Sequence, residues 1–212
     1  MSGQNAPSAG SRKQQAARTE AELKDAARRV FARRGYLNTK ITDITREAGR
    51  AAGSFYTHFD GKESLLEAML ADMLDNVDAE TLGSGHNPDF SVPGAVRWHV
   101  DAFWHFFSRH RTELVALQQA ALVDERFAER LREMYEPDVD ELRDHLERAV
   151  AGGVTLPADP AIVATMISSL MMQFAMMWQV GGVGGGRKLD DDEAVDALTA
   201  FVLHGLHGTD AG

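Results

Sequence analysis

Residues 49–65 read GRAAGSFYTHFDGKESL, and the way this stretch divides decides the fold. Gly49 stops one helix, and the segment from Ala51 has room for only a brief second one before Asp60-Gly61 breaks the chain. Asp60 can cap the next helix while Glu63, three residues on, reaches back to complete a capping box. Phe55 and Phe59 lie one helical turn apart and are expected in the core. Two short helices across a glycine turn, braced by longer neighbours, make a helix-turn-helix arrangement.

Upstream, Leu23, Ala26, Ala27, Val30 and Phe31 recur at three- and four-residue spacing, which predicts a first helix from Thr19 to a stop at Gly35. A second helix fits Lys40 to Ala48, burying Ile41, Ile44 and Ala48. Downstream of the break, Leu65, Leu66, Met69, Leu70, Met73, Leu74 and Val77 define a fourth. Residues 1–18, rich in Ser, Gly, Gln and Ala, are expected to form a mobile basic tail.

The chain has 212 residues, no cysteine and a formal net charge of -10. Without cysteine there is no disulfide, thiolate metal site or cysteine nucleophile. The charge is uneven. Basic residues outnumber acids up to Leu65, whereas acidic clusters such as Asp138, Asp140, Glu141 and Asp144 follow. A basic head on an acidic body suggests that a polyanion meets the head alone. No apolar run is read as approaching the ~20 residues of a membrane helix, and the start lacks the apolar centre of a signal peptide, so a cytoplasmic location is expected.

The Gly-, Pro-, Asn- and Ser-rich residues 82–94 mark a boundary. Beyond it, helices are expected over Val92–His110, Thr112–Ala121, Asp124–Gly152, Asp159–Val180 and Asp190–His207, with no strand signal. The fold class is therefore all-α: a three-helix head, residues 19–65, and a larger helical body, residues 66–212.

The pattern GY…T.ITDIT.EAG…GSFYTHF.GKESL resembles the N-terminal domain of the TetR family of bacterial repressors over about Thr19 to Met73. The resemblance implies a homodimeric regulator of a palindromic double-stranded DNA operator, with a small-molecule effector in the body and no cofactor or enzymatic activity. It implies that the helix beginning near Ala51 reads the groove, with Ala51, Ala52 and Gly53 in close approach and Ser54 and Thr57 as modest donors. Tyr56, His58 and Lys62 then lie along phosphates, and Thr42 joins the DNA-binding set.

Three positions depart from the family's usual pattern. Lys40 stands where a small hydroxyl residue commonly caps the second helix, Arg50 where an aliphatic residue fills the turn, and Ala51 where a serine or threonine caps the reading helix. Thr39 is a substitute cap for the second helix. Ala51 accepts no amide, a loss of about 1 kcal/mol unless a phosphate satisfies those donors. Lys40 and Arg50 are read as added DNA contacts. Two readings of Arg50 stand side by side: a bidentate bond to guanine, or a phosphate contact past the turn. With so few base readers, some specificity falls to DNA shape. Arg12, Lys13 and Arg18 of the tail could follow phosphates.

In the body, the resemblance implies an effector pocket in the middle helices and dimerisation through the last two. Trp98, Phe103, Trp104, Phe107, Gln118, Tyr135, Met172, Gln173 and Met176 are the pocket candidates, suited to a mainly apolar ligand; His99, His105 and Gln119 are further polar candidates. Ile162, Thr165, Met166, Ser169 and Leu170, with Val195, Leu198, Val202 and Leu206, are the candidate dimer interface. A helical metal protein or enzyme is the alternative, as is a DNA-binding scaffold without an effector. Glu141 with His145, and His204 with His207, have helical ligand spacing, but neither pair shows a third ligand, so no metal site is expected. GGVGGGRK, residues 181–188, lacks the strand and hydroxyl of a phosphate loop and reads as a linker.

Overall fold

The computed structural model of the chain describes residues 9–81, 86–182 and 187–206. Among these residues there are eight α-helices: α1 (Ala9–Arg34), α2 (Ile41–Glu47), α3 (Ala52–Tyr56), α4 (Lys62–Thr81), α5 (Pro93–Ala121), α6 (Glu125–Ala151), α7 (Pro160–Ala175) and α8 (Asp191–Leu206). A single π-helical stretch, Met176–Val180, continues α7. No strand occurs among the described residues.

The helix ends follow from local chemistry. α1 stops at Gly35, whose φ of 75° suits a residue without Cβ, and the Gly35 N–H donates back to the Phe31 carbonyl at 2.7 Å. A Cβ there would also lie 2.9 Å from Gln119 Oε1. That oxygen accepts from the Tyr36 N–H at 2.7 Å; Gln119 thus braces this turn instead of orienting a ligand. α4 is capped one residue later than Asp60 and Glu63 suggested. The Gly61 N–H donates to Ser64 Oγ at 3.1 Å, and Ser64 Oγ–H donates to the Gly61 carbonyl. α7 opens with Asp159 Oδ1 accepting from the Ala161 N–H at 2.9 Å and with Pro160 at its first position.

The helix assigned to residues 19–35 begins ten residues earlier, so residues 9–18 are helical where a mobile tail was expected, and residues 1–8 of that tail lie outside the described residues. Ala, Gln, Arg and Lys are good helix formers, and the Thr19 hydroxyl bonds the Gln15 carbonyl instead of capping a new start. α5 runs unbroken through residues 110–112, where no Gly or Pro interrupts it.

Two compact units emerge. Among the described residues, the first comprises 9–76 and 112–128, the second 77–81, 86–111, 129–182 and 187–206. The head thus extends beyond Leu65, taking in most of α4 as well as the end of α5 and the start of α6. Its core contains Leu23, Ala27, Phe31, Ile44, Phe55, Phe59, Leu65 and Met69. Tyr36 meets Phe31 and Phe127 edge-on, with ring centroids 5.4 and 6.3 Å apart. The second unit buries Val100, Trp104, Phe107, Leu146, Ile167, Val195 and Leu198.

Residues 160–180 correct one expectation: by length and composition this helix is apolar enough to cross a membrane. Thr, Ser and Gln interrupt its hydropathy without adding charge. Only part of it is buried, through Val163, Ala164, Ile167, Met171 and Ala175.

Candidate nucleic-acid interface

α2 and α3 are joined by residues 48–51, and the turn is built from backbone bonds. The Gly49 N–H reaches the Arg46 carbonyl at 3.1 Å and the Arg50 N–H reaches the Thr45 carbonyl at 2.9 Å. This is the two-bond Schellman closure, with Gly49 at φ 65° in the left-handed position it requires. The turn fixes the direction of α3, and Phe55, fully buried, anchors it.

At the start of α2, Lys40 is the cap residue but a lysine side chain accepts nothing. Asp43 supplies half of a capping box by accepting from the Lys40 N–H at 3.2 Å. Thr39 is not the substitute cap; its buried hydroxyl donates to the Gly35 carbonyl at 2.7 Å. No side chain caps α3, as Ala51 dictates.

The outward surface of this motif carries Lys40, Thr42, Arg46, Ala51, Ala52, Gly53, Tyr56 and Thr57, all exposed, with Ser54 and His58 half-buried. Tyr56 is 59% exposed, so it is not a packing residue. The Thr57 hydroxyl donates to the Gly53 carbonyl at 3.2 Å, which occupies the proton it was expected to offer DNA.

Two cations expected on DNA are held by the protein itself. Lys62 Nζ donates to the Tyr36 and Thr39 carbonyls at 2.8 and 3.1 Å and sits 4.1 Å from the centroid of the Tyr36 ring. Burial holds its pKa below the ordinary lysine range. Lys62 therefore ties the start of α4 to the turn after α1. Arg50 bends away from the turn onto α1, where Nε and Nη2 both bond Glu22 Oε2. Arg18 joins Glu22 from the other side at 3.0 Å.

The same device recurs across the head. Glu47 takes Arg29 at 2.7 Å and Arg33 at 2.5 Å, and Asp43 takes Arg34 at 3.1 Å. Arg28 reaches the buried Glu113 at 2.5 Å, while Lys24 pairs with Glu20 and Asp72. Bonds from arginines lower the pKa of Glu22 and Glu47, and the Lys40 N–H lowers that of Asp43. The basic face read from the sequence is thus a lattice of matched charges linking α1 to α2.

In the second unit, Trp104 and Phe107 are core residues, and the Trp104 indole N–H donates to Asp191 Oδ1 at 2.8 Å, pinning the start of α8. Trp98, Phe103, Tyr135, Met172 and Met176 are half-buried and Gln173 is exposed. Gln118 falls in the first unit. Of the expected dimer residues, Ile162, Thr165, Met166 and Ser169 are exposed and Leu170 half-buried. Val195, Leu198 and Val202 are corrected: they are buried in the chain's own core, because α8 turns its apolar stripe inward. The exposed face of α8 carries Ala197, Ala200 and Phe201. The side chain of Leu206, like His207, lies outside the described residues.

Glu141 and His145 do acquire further ligand partners. His86, from the segment before α5, and His99, on α5, converge with them, and one potential ligand atom from each lies within 4.8 Å of the others.

Comparison with known proteins agrees with the head's geometry. Residues 23–69 match the sequence model of bacterial regulatory proteins of the tetR family. Over 56 residues the chain is 45% identical to the HTH-type transcriptional repressor KstR2 of Rhodococcus jostii, covering 26% of this chain and 28% of that protein. The chain thus spans little more than a quarter of that relative's length. The structure of the ketosteroid transcriptional regulator KstR2 of Mycobacterium tuberculosis superposes with a TM-score of 0.69 at 23% identity, covering 90% of this chain and 95% of that one. AibR, in complex with isovaleryl coenzyme A and operator DNA, superposes at 0.67 with 18% identity, over 86% of this chain and 97% of that one. The helix-turn-helix built on Gly49 and Phe55 lies within the sequence match over residues 23–69, so the head is similar to that of bacterial regulatory proteins of the tetR family, and the chain as a whole shares their all-helical fold.

Proposed function

We propose that the chain is a sequence-specific DNA-binding transcriptional repressor, cytoplasmic and homodimeric, released from a near-palindromic operator by a small, mainly apolar effector. One observation carries the DNA-binding reading: α3 presents Ala51, Ala52 and Gly53 to solvent from a rigid turn, flanked by exposed Lys40, Thr42 and Tyr56. Nothing in the free chain needs Gly53 to be glycine. Its φ is not positive, and a Cβ there would meet nothing within 4 Å. A residue kept small without an internal reason suits close approach of the backbone to a major-groove wall.

The dimer reading is supported by the exposed Ile162 and Met166 on α7 and Phe201 on α8. These faces can pair with their symmetry mates in a four-helix interface. The same pairing accounts for a helix apolar enough for a membrane yet left partly uncovered in one chain. An effector of apolar character is supported by the half-buried Trp98, Phe103, Met172 and Met176 of the second unit and by the description of the similarly folded KstR2 as a ketosteroid regulator.

Selection of bound duplexes from random DNA tests the reading. The expected product is an inverted repeat whose half-sites lie about one helical turn, roughly 34–36 Å, apart. Failure to enrich any sequence, or enrichment of a single half-site, would overturn the dimeric repressor.

A further inference from the structure

Three histidines and a glutamate distant in sequence meet in the second unit. His99 on α5 faces His145 on α6 with ring centroids 4.8 Å apart, and His86 lies 5.1 and 5.2 Å from these two rings. Glu141, one turn before His145, sends Oε1 to 3.2 Å from His86 Nε2 and 3.9 Å from His145 Nε2.

The protonation pattern is that of a ligand set. His99 Nδ1 lies 2.9 Å from the Ala95 carbonyl, which can only accept, so the proton sits on Nδ1 and Nε2 carries a lone pair. That Nε2 is buried and has no hydrogen-bond partner, and neither does the buried Nδ1 of His145. A buried nitrogen without a partner is costly unless a ligand or an ion satisfies it. A carbonyl behind a histidine is also the usual outer support of a metal-bound imidazole.

We propose that His86, His99, His145 and Glu141 form a binding site for a divalent first-row transition cation of the zinc class. Three imidazoles and one carboxylate without a thiolate suit Zn²⁺, Co²⁺ or Ni²⁺ and disfavour Ca²⁺ and Mg²⁺, which take oxygen ligands. A tetrahedral centre with bonds of about 2.0–2.2 Å needs its ligand atoms roughly 3.3–3.5 Å apart. The present spread of up to 4.8 Å closes to that by small side-chain movements. Phe90, with its ring 4.9 and 5.1 Å from His99 and His145, and Trp98, 5.4 Å from His86, wall the site with apolar surface. The ion would clip the segment before α5 to α5 and α6. The site stands apart from the DNA-binding reading, and its failure would leave that reading intact.

The test uses the full chain, free of any affinity tag and stripped with a chelator, titrated with ZnSO₄ by calorimetry and loaded with CoCl₂ for absorption. One ion per chain, a raised melting temperature with zinc and the intense visible band of tetrahedral cobalt are expected. His86→Ala removes an exposed ligand without touching the core, and should weaken zinc binding by at least about tenfold; His145→Gln should do the same. His204→Ala, at an exposed position of α8 outside the cluster, should change nothing. Absence of zinc binding by the stripped wild-type chain, or binding that His86→Ala and His145→Gln leave unaltered, would overturn the proposal.

Discussion

Arg50 is bound to Glu22 in the free chain, and this separates the two readings of its role. To read a guanine it must leave a two-nitrogen ion pair and reach beyond the turn. To meet a phosphate it must also leave Glu22, but it need not reach a base edge. Arg50→Ala is therefore expected to weaken binding by a similar factor on every operator variant, with Glu22→Ala altering affinity equally evenly. Band-shift titrations across single-base variants check this, and a loss confined to one base pair would place Arg50 on a base instead. Gly53 offers the complementary case. Gly53→Ala should leave the fold intact or stabilise it by about 0.5–1 kcal/mol, since helical glycine is entropically costly. It should nevertheless lower operator affinity by about tenfold, or ~1.4 kcal/mol, if the backbone approaches the groove there. Urea denaturation and DNA titration on the same sample read the two effects independently.

Among the elements, α1 is divided in its support. From Thr19 to Phe31 it buries one side in the first unit, whereas residues 10 and 12–18 are exposed. An exposed ten-residue stretch draws little from packing and is marginal as a helix in water. Hydrogen exchange should therefore find the amides of residues 9–18 exchanging at least about 100-fold faster than those of Leu23 to Phe31. This element also shows why parts of the fold were legible and others not. Periodic apolar residues and glycine stops placed α2, α6 and the start of α3 to within a residue. The start of α1 was hidden, because a helix without a buried face leaves no apolar period. Side-chain destinations were less legible still. Nothing local tells Lys62 to turn to the Tyr36 and Thr39 carbonyls, or Val195, Leu198 and Val202 to face the chain's own core. The histidine cluster was out of reach for the same reason. Glu141 and His145 are visible as a helical pair, but His86 and His99 join them only through the fold.

At the scale of the whole molecule, the charge imbalance between head and body is real in composition but muted in the fold, because so many of the head's arginines are paired. The paired carboxylates set how the first unit responds to acid. Glu22, Glu47 and Asp43 have folded pKa values below their ordinary 4.5, 4.5 and 3.8. Their contribution is fully present above those values and is lost as pH falls through the lower folded ones. Thermal melts should thus be flat in this contribution around neutrality and fall on acidification below about pH 4.5, with Glu47→Gln flattening the decline. The tether between Arg50 and Glu22 has a further consequence, for salt. When a free lysine or arginine settles on a phosphate, DNA sheds a condensed cation, and the affinity falls steeply as salt rises. When Arg50 leaves Glu22 to do so, the carboxylate keeps only Arg18 and draws more of the solution's cations around it as the DNA gives one up. The exchange is partly offset, and the same holds for any of Arg29, Arg33 and Arg34 that trades Glu47 or Asp43 for DNA. The logarithmic slope of operator affinity against salt should then be shallower than the number of phosphate contacts implies, and Glu22→Gln should steepen it.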